Sequence, residues 1–302
     1  MTSTTSAPAV GLVPLISNRE KGPLGLIHLP RLWLKMRAFA VGLLPEGYRH
    51  GAGGFDELLL TAIGADLPAV EAFIAEQRPD YLKFEAWLKA NARTLTPEAI
   101  AAFNERVLSM HMPEPRRTEW QARFGLTGTD YDRGVDLNQL DDWAAVRDQI
   151  VAGNVPLDLI YPAIATPIVG PLGLIHLPRL WLKHLLHGAG CLQNEYRHGA
   201  SGVDLRIAED TGFDPDGFRE FVEGERPHYL AAEAWVRANA TKLTPEIVEE
   251  LRLYTTVTKM PAELEAQRRA RLGHIDPGFG LGYELNQLDD WYSIHEQLIA
   301  IA

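Results

Sequence analysis

The peptide GPLGLIHLPRLWLK occupies residues 22–35, and the same fourteen residues return unchanged at 170–183. A shift of 148 positions aligns residues 23–150 with residues 171–298 without a gap, and 53 of these 128 pairs are identical. By contrast, none of residues 99–111 matches its counterpart. The chain is therefore predicted to be a tandem duplication, in which the positions that agree between the two copies are informative.

Helix-start and helix-end signals run through both copies. Pro30 fits the first turn of a helix that ends near Val41. Asp56, Asp66 and Thr96 precede further helical segments in the manner of N-caps, and a last helix is expected after Asn138. No segment alternates β-branched residues as a strand would. The sequence predicts an all-α protein with five to six helices in each copy.

The duplication also predicts the domain organisation. We expect an N-terminal segment at 1–21, a first helical repeat at 22–150, a linker at 151–169 and a second repeat at 170–302. The linker is apolar and contains three prolines, whereas a flexible tether would be polar and rich in Gly and Ser. We therefore expect it to run extended along the protein surface, and the two similar units to meet about a pseudo-twofold axis.

Composition restricts the partners and the compartment. The formal net charge is −11, from 29 Lys and Arg against 40 Asp and Glu, so neither nucleic acid nor a membrane is an expected partner. Cys191 is the only cysteine, which excludes an intramolecular disulfide. No secretory signal and no membrane-spanning apolar run occur in the sequence. We expect a cytoplasmic protein with a small-molecule ligand, either a monomeric pseudo-dimer or a homodimer.

Retained polar residues that capping does not explain are the candidates for a site. His28 and Arg31 flank the start of the first helix, where the helix dipole disfavours a cation unless an anion answers it. One alternative is an internal ion pair of Arg31 with Glu85, Asp56 or Asp141. The other is a cradle that binds a substrate carboxylate, phosphate or enolate-like oxygen at the helix N-terminus.

The loops GYRHG (47–51) and EYRHG (195–199) present tyrosine, arginine and histidine between glycines or beside one. Histidine suits proton transfer near neutral pH, and tyrosine can donate a proton or polarise a substrate. The predicted catalytic residues are therefore His50, His198, Tyr48, Tyr196, Glu85 and Glu233. The predicted substrate-binding residues are His28, Arg31, Trp33, Tyr81, His176, Arg179, Trp181 and Tyr229. A plain turn, whose tyrosine packs and whose histidine caps a carbonyl, is the alternative.

Differences between the copies add a candidate metal site. Met36 and Phe39 of the first copy are replaced by His184 and His187, which lie three residues apart and share a helix face. Cys191 follows a glycine cap, where packing is its ordinary role. A second metal alternative combines the two retained histidines of each copy with the glutamate, although that spacing matches no known ligand pattern. The cofactor stays undetermined: a divalent metal is open, and no nucleotide-binding motif occurs.

Four segments together resemble a known family. They are LPRLWLK (29–35), LPEGYRHGAGGFDELLL (44–60), RPDYLKFEAWLKANARTLTPEAIAAFN (78–104) and LNQLDDW (137–143). In this order they resemble the bacterial domain-of-unknown-function family number 5069, and both copies share the likeness. The resemblance implies a small soluble bacterial domain, here in tandem, and it implies no catalytic residues because the family has no assigned activity. The second copy departs from the pattern at SGVDLRIAED (201–210), which suggests unequal roles.

The sequence thus leaves three functional readings. The first is an enzyme that acts on a small anionic or oxygen-rich organic molecule by acid–base chemistry, with or without a metal, in a pocket between helices. In it, His50 or His198 carries the proton and Arg31 or Arg179 holds the anion. The second is a non-catalytic metabolite-binding protein. The third is a structural or interaction module, in which the retained groups form buried ion pairs and aromatic core.

Overall fold

The computed structural model describes residues 11–155, 163–193, 196, 198–199, 202–273, 275–276 and 278–301. Within these ranges the chain forms fourteen α-helices and no β-strand, which confirms the all-α prediction. The helices are α1 (Leu29–Ala40), α2 (Gly54–Ile63), α3 (Leu67–Gln77), α4 (Tyr81–Asn91), α5 (Pro97–Ser109), α6 (Arg116–Arg123), α7 (Gly134–Val151), α8 (Leu177–Gly188), α9 (Val203–Thr211), α10 (Pro215–Glu225), α11 (Tyr229–Asn239), α12 (Pro245–Val257), α13 (Ala262–Leu272) and α14 (Gly282–Ile301).

Seven helices come from each copy, so the prediction of five to six was too low. The helices that the sequence did not indicate are α6 and α13. No residue of α6 is buried, and Leu272 is the only buried residue of α13. A helix that buries almost nothing shows no apolar periodicity, because that periodicity arises from a face turned to the core.

Helix starts agree with the predicted caps at some positions and not at others. The side chains of Asp66 and Thr96 accept backbone N–H bonds at the starts of α3 and α5, as N-caps do. Asp56 is not a cap, because α2 begins at Gly54 and the buried Asp56 carboxylate turns inward instead. Likewise α7 begins at Gly134, before the predicted start after Asn138.

The centre of the molecule is an aromatic cluster between the two repeats. Tyr81 of α4 packs edge-on against Trp291 of α14, with ring centroids 4.7 Å apart. Trp143 of α7 packs edge-on against Tyr229 of α11 at 4.5 Å. Trp143 also lies 6.4 Å from Trp181 of α8. Because all these rings are buried, they join the halves through a continuous apolar core.

The predicted linker is described only in part, since residues 156–162 lie outside the described ranges. Ala163, Ile164, Ala165 and Ile168 are buried in the core. This differs from the expected course along the surface. The reason is that these residues belong to the buried apolar cluster, and the Ile164 carbonyl accepts a hydrogen bond from Arg179 of α8.

Among the described helices, none is by itself long and apolar enough to cross a membrane. Gly54–Ile63 and Leu67–Gln77 would reach the required length only together, and the two are bent by 102° relative to each other.

Candidate functional site

His28 stands at the start of α1 in a rare backbone conformation. Its φ of 67° is left-handed, and His176 at the start of α8 has φ 63°. Non-glycine residues seldom adopt this conformation, and when they do the surrounding structure must hold it in place. The His28 ring is held on both sides: Nδ1 lies 2.7 Å from Asn18 Oδ1, and Nε2 lies 2.6 Å from Asp56 Oδ1.

Asp56 is the centre of the first polar group. Its two carboxylate oxygens each lie 2.6 Å from Lys35 Nζ, and Oδ2 also accepts the Gly51 N–H at 2.9 Å. Burial lowers the pKa of His28 to about 4 against the opposing pull of Asp56, so His28 is neutral at neutral pH. Burial also lowers the pKa of Lys35, although the Asp56 carboxylate opposes this. Asp56 itself stays ionised, because His28 and Lys35 together outweigh the effect of burial on its pKa.

Arg31 forms the second polar group with Asp142. Its guanidinium lies 2.7 Å from Asp142 Oδ2 and donates to the carbonyl oxygens of Ile16, at 3.1 Å, and Pro14. Tyr48 donates its hydroxyl to Asp142 Oδ1 at 2.8 Å. Arg31 therefore forms an internal ion pair, which is one of the two predicted alternatives. The partner is Asp142 and none of the three carboxylates that we expected.

The second repeat builds the same two groups. They are formed by His176, Lys183 and Asp204, and by Arg179, Tyr196 and Asp290. Nδ1 of His176 contacts the Thr166 hydroxyl at 2.9 Å, where the first repeat has Asn18. The two halves therefore make the same ion pairs with equivalent residues, while the partner of the histidine Nδ1 differs.

Both polar groups of the first repeat face one cavity of about 370 Å³. Its wall consists of Asn18, His28, Arg31, Lys35, Glu46, Gly47, Tyr48, Arg49, Gly53, Gly54, Phe55, Asp56, Arg116, Trp120, Asn138, Asp141 and Asp142. Arg49 and Arg116 are exposed at its rim, and the Arg116 guanidinium lies over the Trp120 ring at 4.1 Å. A cavity of this size suits a small organic molecule.

Several predicted site residues lie elsewhere. Trp33 is buried in the core, where its Nε1 donates to the carbonyl oxygen of Pro79 at 3.0 Å. Tyr81 donates its hydroxyl to Glu85 Oε1 at 2.5 Å, and Glu85 also accepts the Leu24 N–H at 3.2 Å. None of Trp33, Tyr81 and Glu85 lines the cavity. In the second repeat the same contacts are made by Trp181, Tyr229 and Glu233.

The predicted proton carrier His50 also lies outside the cavity wall. Its ring stacks on Phe39 with centroids 3.5 Å apart, because the loop that carries it turns toward the exposed end of α1. In the second repeat, His198 lies beside the predicted metal ligands, with ring centroids 3.8 Å from His187 and 6.0 Å from His184. The structure therefore separates the two equivalent histidines by environment. Their catalytic roles stay predictions.

Sequence reasoning missed three residues of the polar groups as site residues. Asp56 was assigned to capping, Lys35 was recognised as a retained polar residue but given no role, and Asp142 was not selected, although all three are identical in the two copies. That identity was the available signal. Arg116 and Trp120 gave none, because the second repeat has Leu264 and Arg268 in their places.

The buried carboxyls of Glu85 and Glu233 predict a pH dependence of stability. Burial raises the pKa of each to about 7, against hydrogen bonds that favour ionisation. The folded protein then binds protons that the unfolded chain has released, so stability falls as pH rises from about 4.5 through 7. The Glu85→Gln/Glu233→Gln variant keeps one acceptor oxygen at each position and loses this dependence. Between pH 5 and 8, wild type should lose up to about 3 kcal/mol per carboxyl relative to it in urea unfolding.

Glu249→Gln is the matched control, since Glu249 is exposed and pairs with Arg252 at the surface. Its stability difference from wild type should not change over this pH range. A wild-type stability that runs parallel to that of the double variant would contradict the prediction.

Comparison with known proteins gives one match. Residues 15–143 match the family model described as "Domain of unknown function (DUF5069)". No curated protein and no solved structure matches the chain. The match covers the first repeat, including both polar groups and the cavity wall. It supports the resemblance for that copy: residues 15–143 are similar to this domain family, whose function is unknown.

Proposed function

We propose that the first repeat binds a small anionic or oxygen-rich organic molecule in its cavity, and that the protein acts on it by acid–base chemistry. The observation that carries the proposal is the meeting of two buried ionisable groups at one cavity wall. Ionisable residues with perturbed pKa values in a cleft are typical of active sites.

Lys35 is the group that we propose to transfer protons, and Tyr48 is a hydrogen-bonding group beside it, because burial raises the pKa of the Tyr48 hydroxyl well above its usual value. Both line the cavity, and each is held by one carboxylate, Asp142 for Tyr48 and Asp56 for Lys35. Burial lowers the pKa of Lys35, which brings an amine closer to proton exchange at neutral pH. Arg49 and Arg116 at the rim replace Arg31 as the groups for the anion, because Asp142 and two carbonyls already engage Arg31.

A structural role is the second candidate, and one observation favours it. Both ring nitrogens of His28 and both oxygens of Asp56 have partners inside the protein, and the second repeat repeats these contacts. Groups that are fully paired in the folded chain can serve stability alone. A non-catalytic binding protein would use the same cavity, and turnover of the bound compound separates it from an enzyme.

The test is a screen of small carboxylates, phosphates and sugars by thermal shift, followed by titration calorimetry of each hit. We expect at least one compound to raise the melting temperature, and Arg116→Ala and Tyr48→Phe to weaken its binding about tenfold or more. Loss of one hydrogen bond to a charged group is worth about 1.5–3 kcal/mol. Proton NMR of the mixture over hours then shows whether the compound is converted.

Leu264→Ala is the matched control, because Leu264 occupies the position of Arg116 in the second repeat. It should leave binding unchanged. A screen without hits would reject the cavity as a binding site and favour the structural role. So would hits that bind Arg116→Ala and Tyr48→Phe as tightly as they bind the wild type.

We also propose that the two repeats are related by a pseudo-twofold axis. Two reciprocal contacts support this. Gln139 Nε2 donates to the Val169 carbonyl at 2.7 Å, and Gln287 Nε2 donates to the Lys21 carbonyl at 2.8 Å. Since 139 and 287, and 21 and 169, are equivalent positions, each copy makes the same contact with the other, as an isologous interface requires.

The boundaries of the repeats follow from equivalent contacts at their starts. Ile16 and Ile164 both offer their carbonyls to the helix arginine, and Asn18 and Thr166 both contact the histidine Nδ1. We therefore propose that each unit begins near residues 15 and 163, earlier than the predicted 22 and 170. We also propose that the protein is cytoplasmic and acts as a monomeric pseudo-dimer or a homodimer. Its acidic charge disfavours nucleic acid and anionic membranes as partners.

A further inference from the structure

Three histidines and a glutamate converge on one side of the second repeat. His187 Nδ1 lies 2.8 Å from Glu223 Oε1. One ligand atom from each of His187, His198 and Glu223 lies within 4.8 Å of the others. Zinc bonds of about 2.0–2.2 Å place tetrahedral ligand atoms about 3.3–3.6 Å apart. Small rotations of the partly exposed side chains of His187 and Glu223 reach this separation.

His184 provides a fourth donor from the buried side. Its ring is only 1% exposed, and Nδ1 has no hydrogen-bond partner among the described residues. This nitrogen lies 3.7 Å from Glu223 Oε1, so it is directed toward the cluster. A buried polar atom without a partner requires an explanation, and an ion that it ligates supplies one.

The first repeat lacks most of these donors. At the positions of His184, His187 and Glu223 it has Met36, Phe39 and Ala75. Of the four equivalent residues, only His50 therefore has a nitrogen or oxygen atom in its side chain that could bind a metal ion. Three of the four donors are therefore specific to the second copy. His184 and His187 lie on α8 and Glu223 on α10, and the Nδ1 atoms of the two histidines lie 3.7 Å and 2.8 Å from the same Glu223 oxygen. Hydrogen bonding to one glutamate would not need three imidazoles.

We propose that His184, His187, His198 and Glu223 bind a divalent first-row transition-metal ion, with Zn²⁺ as the best fit. Imidazole nitrogens and a carboxylate form the donor set that zinc accepts in tetrahedral sites. The His187 side chain is 45% exposed, which gives the ion a path from solvent. The proposal does not depend on the cavity of the first repeat, since the two sites share no residue.

The test uses the full chain, purified without affinity nickel and stripped with chelator. Zn²⁺ is titrated by calorimetry and counted by elemental mass spectrometry after gel filtration. We expect one Zn²⁺ per chain, and a rise in melting temperature as Zn²⁺ is added, because a ligand of the folded state stabilises it by mass action. Co²⁺ in its place should give the strong visible absorption of a tetrahedral complex.

Each ligand variant introduces the residue that the first repeat has at the equivalent position, so the new side chain is one that this fold accommodates. His187→Phe and Glu223→Ala should each weaken Zn²⁺ binding at least tenfold, while His50→Ala, the equivalent of His198 in the first repeat, should not. In the reverse experiment, Met36→His/Phe39→His/Ala75→Glu should raise the stoichiometry to two. Absence of a bound equivalent in wild type, or an affinity that survives both ligand substitutions, would overturn the proposal. A folded variant is recognised by its unchanged far-UV circular dichroism.

Discussion

Arg31→Ala is expected to lower the free energy of unfolding by about 3–5 kcal/mol. Arg31 is only 6% exposed, and its guanidinium pairs with Asp142 and with the carbonyls of Ile16 and Pro14. Removal of one partner of a buried ion pair leaves the other charge desolvated without compensation, and this costs about that much. The two carbonyls also lose their hydrogen-bond donor, and the network that includes the Tyr48 hydroxyl is weakened. Both effects add to this cost.

The measurement is urea unfolding followed by tryptophan fluorescence and by circular dichroism. Arg252→Ala is the control, because Arg252 forms an exposed ion pair with Glu249 at 2.5 Å, and exposed pairs contribute about 0–1 kcal/mol. Equal losses in the two variants would mean that the burial of Arg31 carries no energetic weight. Asp142→Ala should resemble Arg31→Ala in size, since it breaks the same pair from the other side.

Gly22→Ala is expected to destabilise the protein by about 1–3 kcal/mol, the usual cost of overpacking a close-packed core. A methyl group on Gly22 would stand 2.5 Å from Glu85 Oε1 and closer still to the Tyr81 ring. Neither neighbour moves freely, because the two side chains hydrogen-bond to each other and Glu85 also holds the Leu24 N–H. Gly170 meets Tyr229 and Glu233 in the same way, so Gly170→Ala should behave alike.

Thermal unfolding of Gly22→Ala should be compared with that of Gly224→Ala. Gly224 lies in α10, and an added methyl group there would meet no atom within 4 Å among the described residues. Alanine in a helix is up to about 1 kcal/mol more favourable than glycine, so this control should be neutral or stabilised. If both variants keep the wild-type melting temperature, the contact between the Gly22 loop and α4 is not tight.

The identical peptide at residues 22–35 was predictable as important, and the structure gives the reason for each retained polar position. Gly22 leaves room for Tyr81, His28 and Lys35 hold Asp56, and Arg31 holds Asp142. The sequence could show that these positions resist change. It could not show their partners, because Arg31 and Asp142 are 111 residues apart and several carboxylates were equally plausible by type.

The helices were predictable where apolar periodicity and capping residues agree, as at Asp66 and Thr96. They were not predictable at α6, where the helix buries no residue and its existence depends on local hydrogen bonds. Asp56 shows the opposite error. A residue type that favours caps was placed by tertiary contacts with His28 and Lys35, which override local preference.

The aromatic contacts at the centre, Tyr81 with Trp291 and Trp143 with Tyr229, have a consequence for how the two halves can evolve. The two pairs consist of the same residue types at equivalent positions of the two copies. None of these rings belongs to the cavity wall of the first repeat or to the histidine cluster of the second. A change at the outer end of one copy therefore leaves the shared centre intact. The two halves of one chain can therefore differ, one with the cavity and the other with the histidine cluster, whereas two identical subunits would have to carry the same side chains at both places.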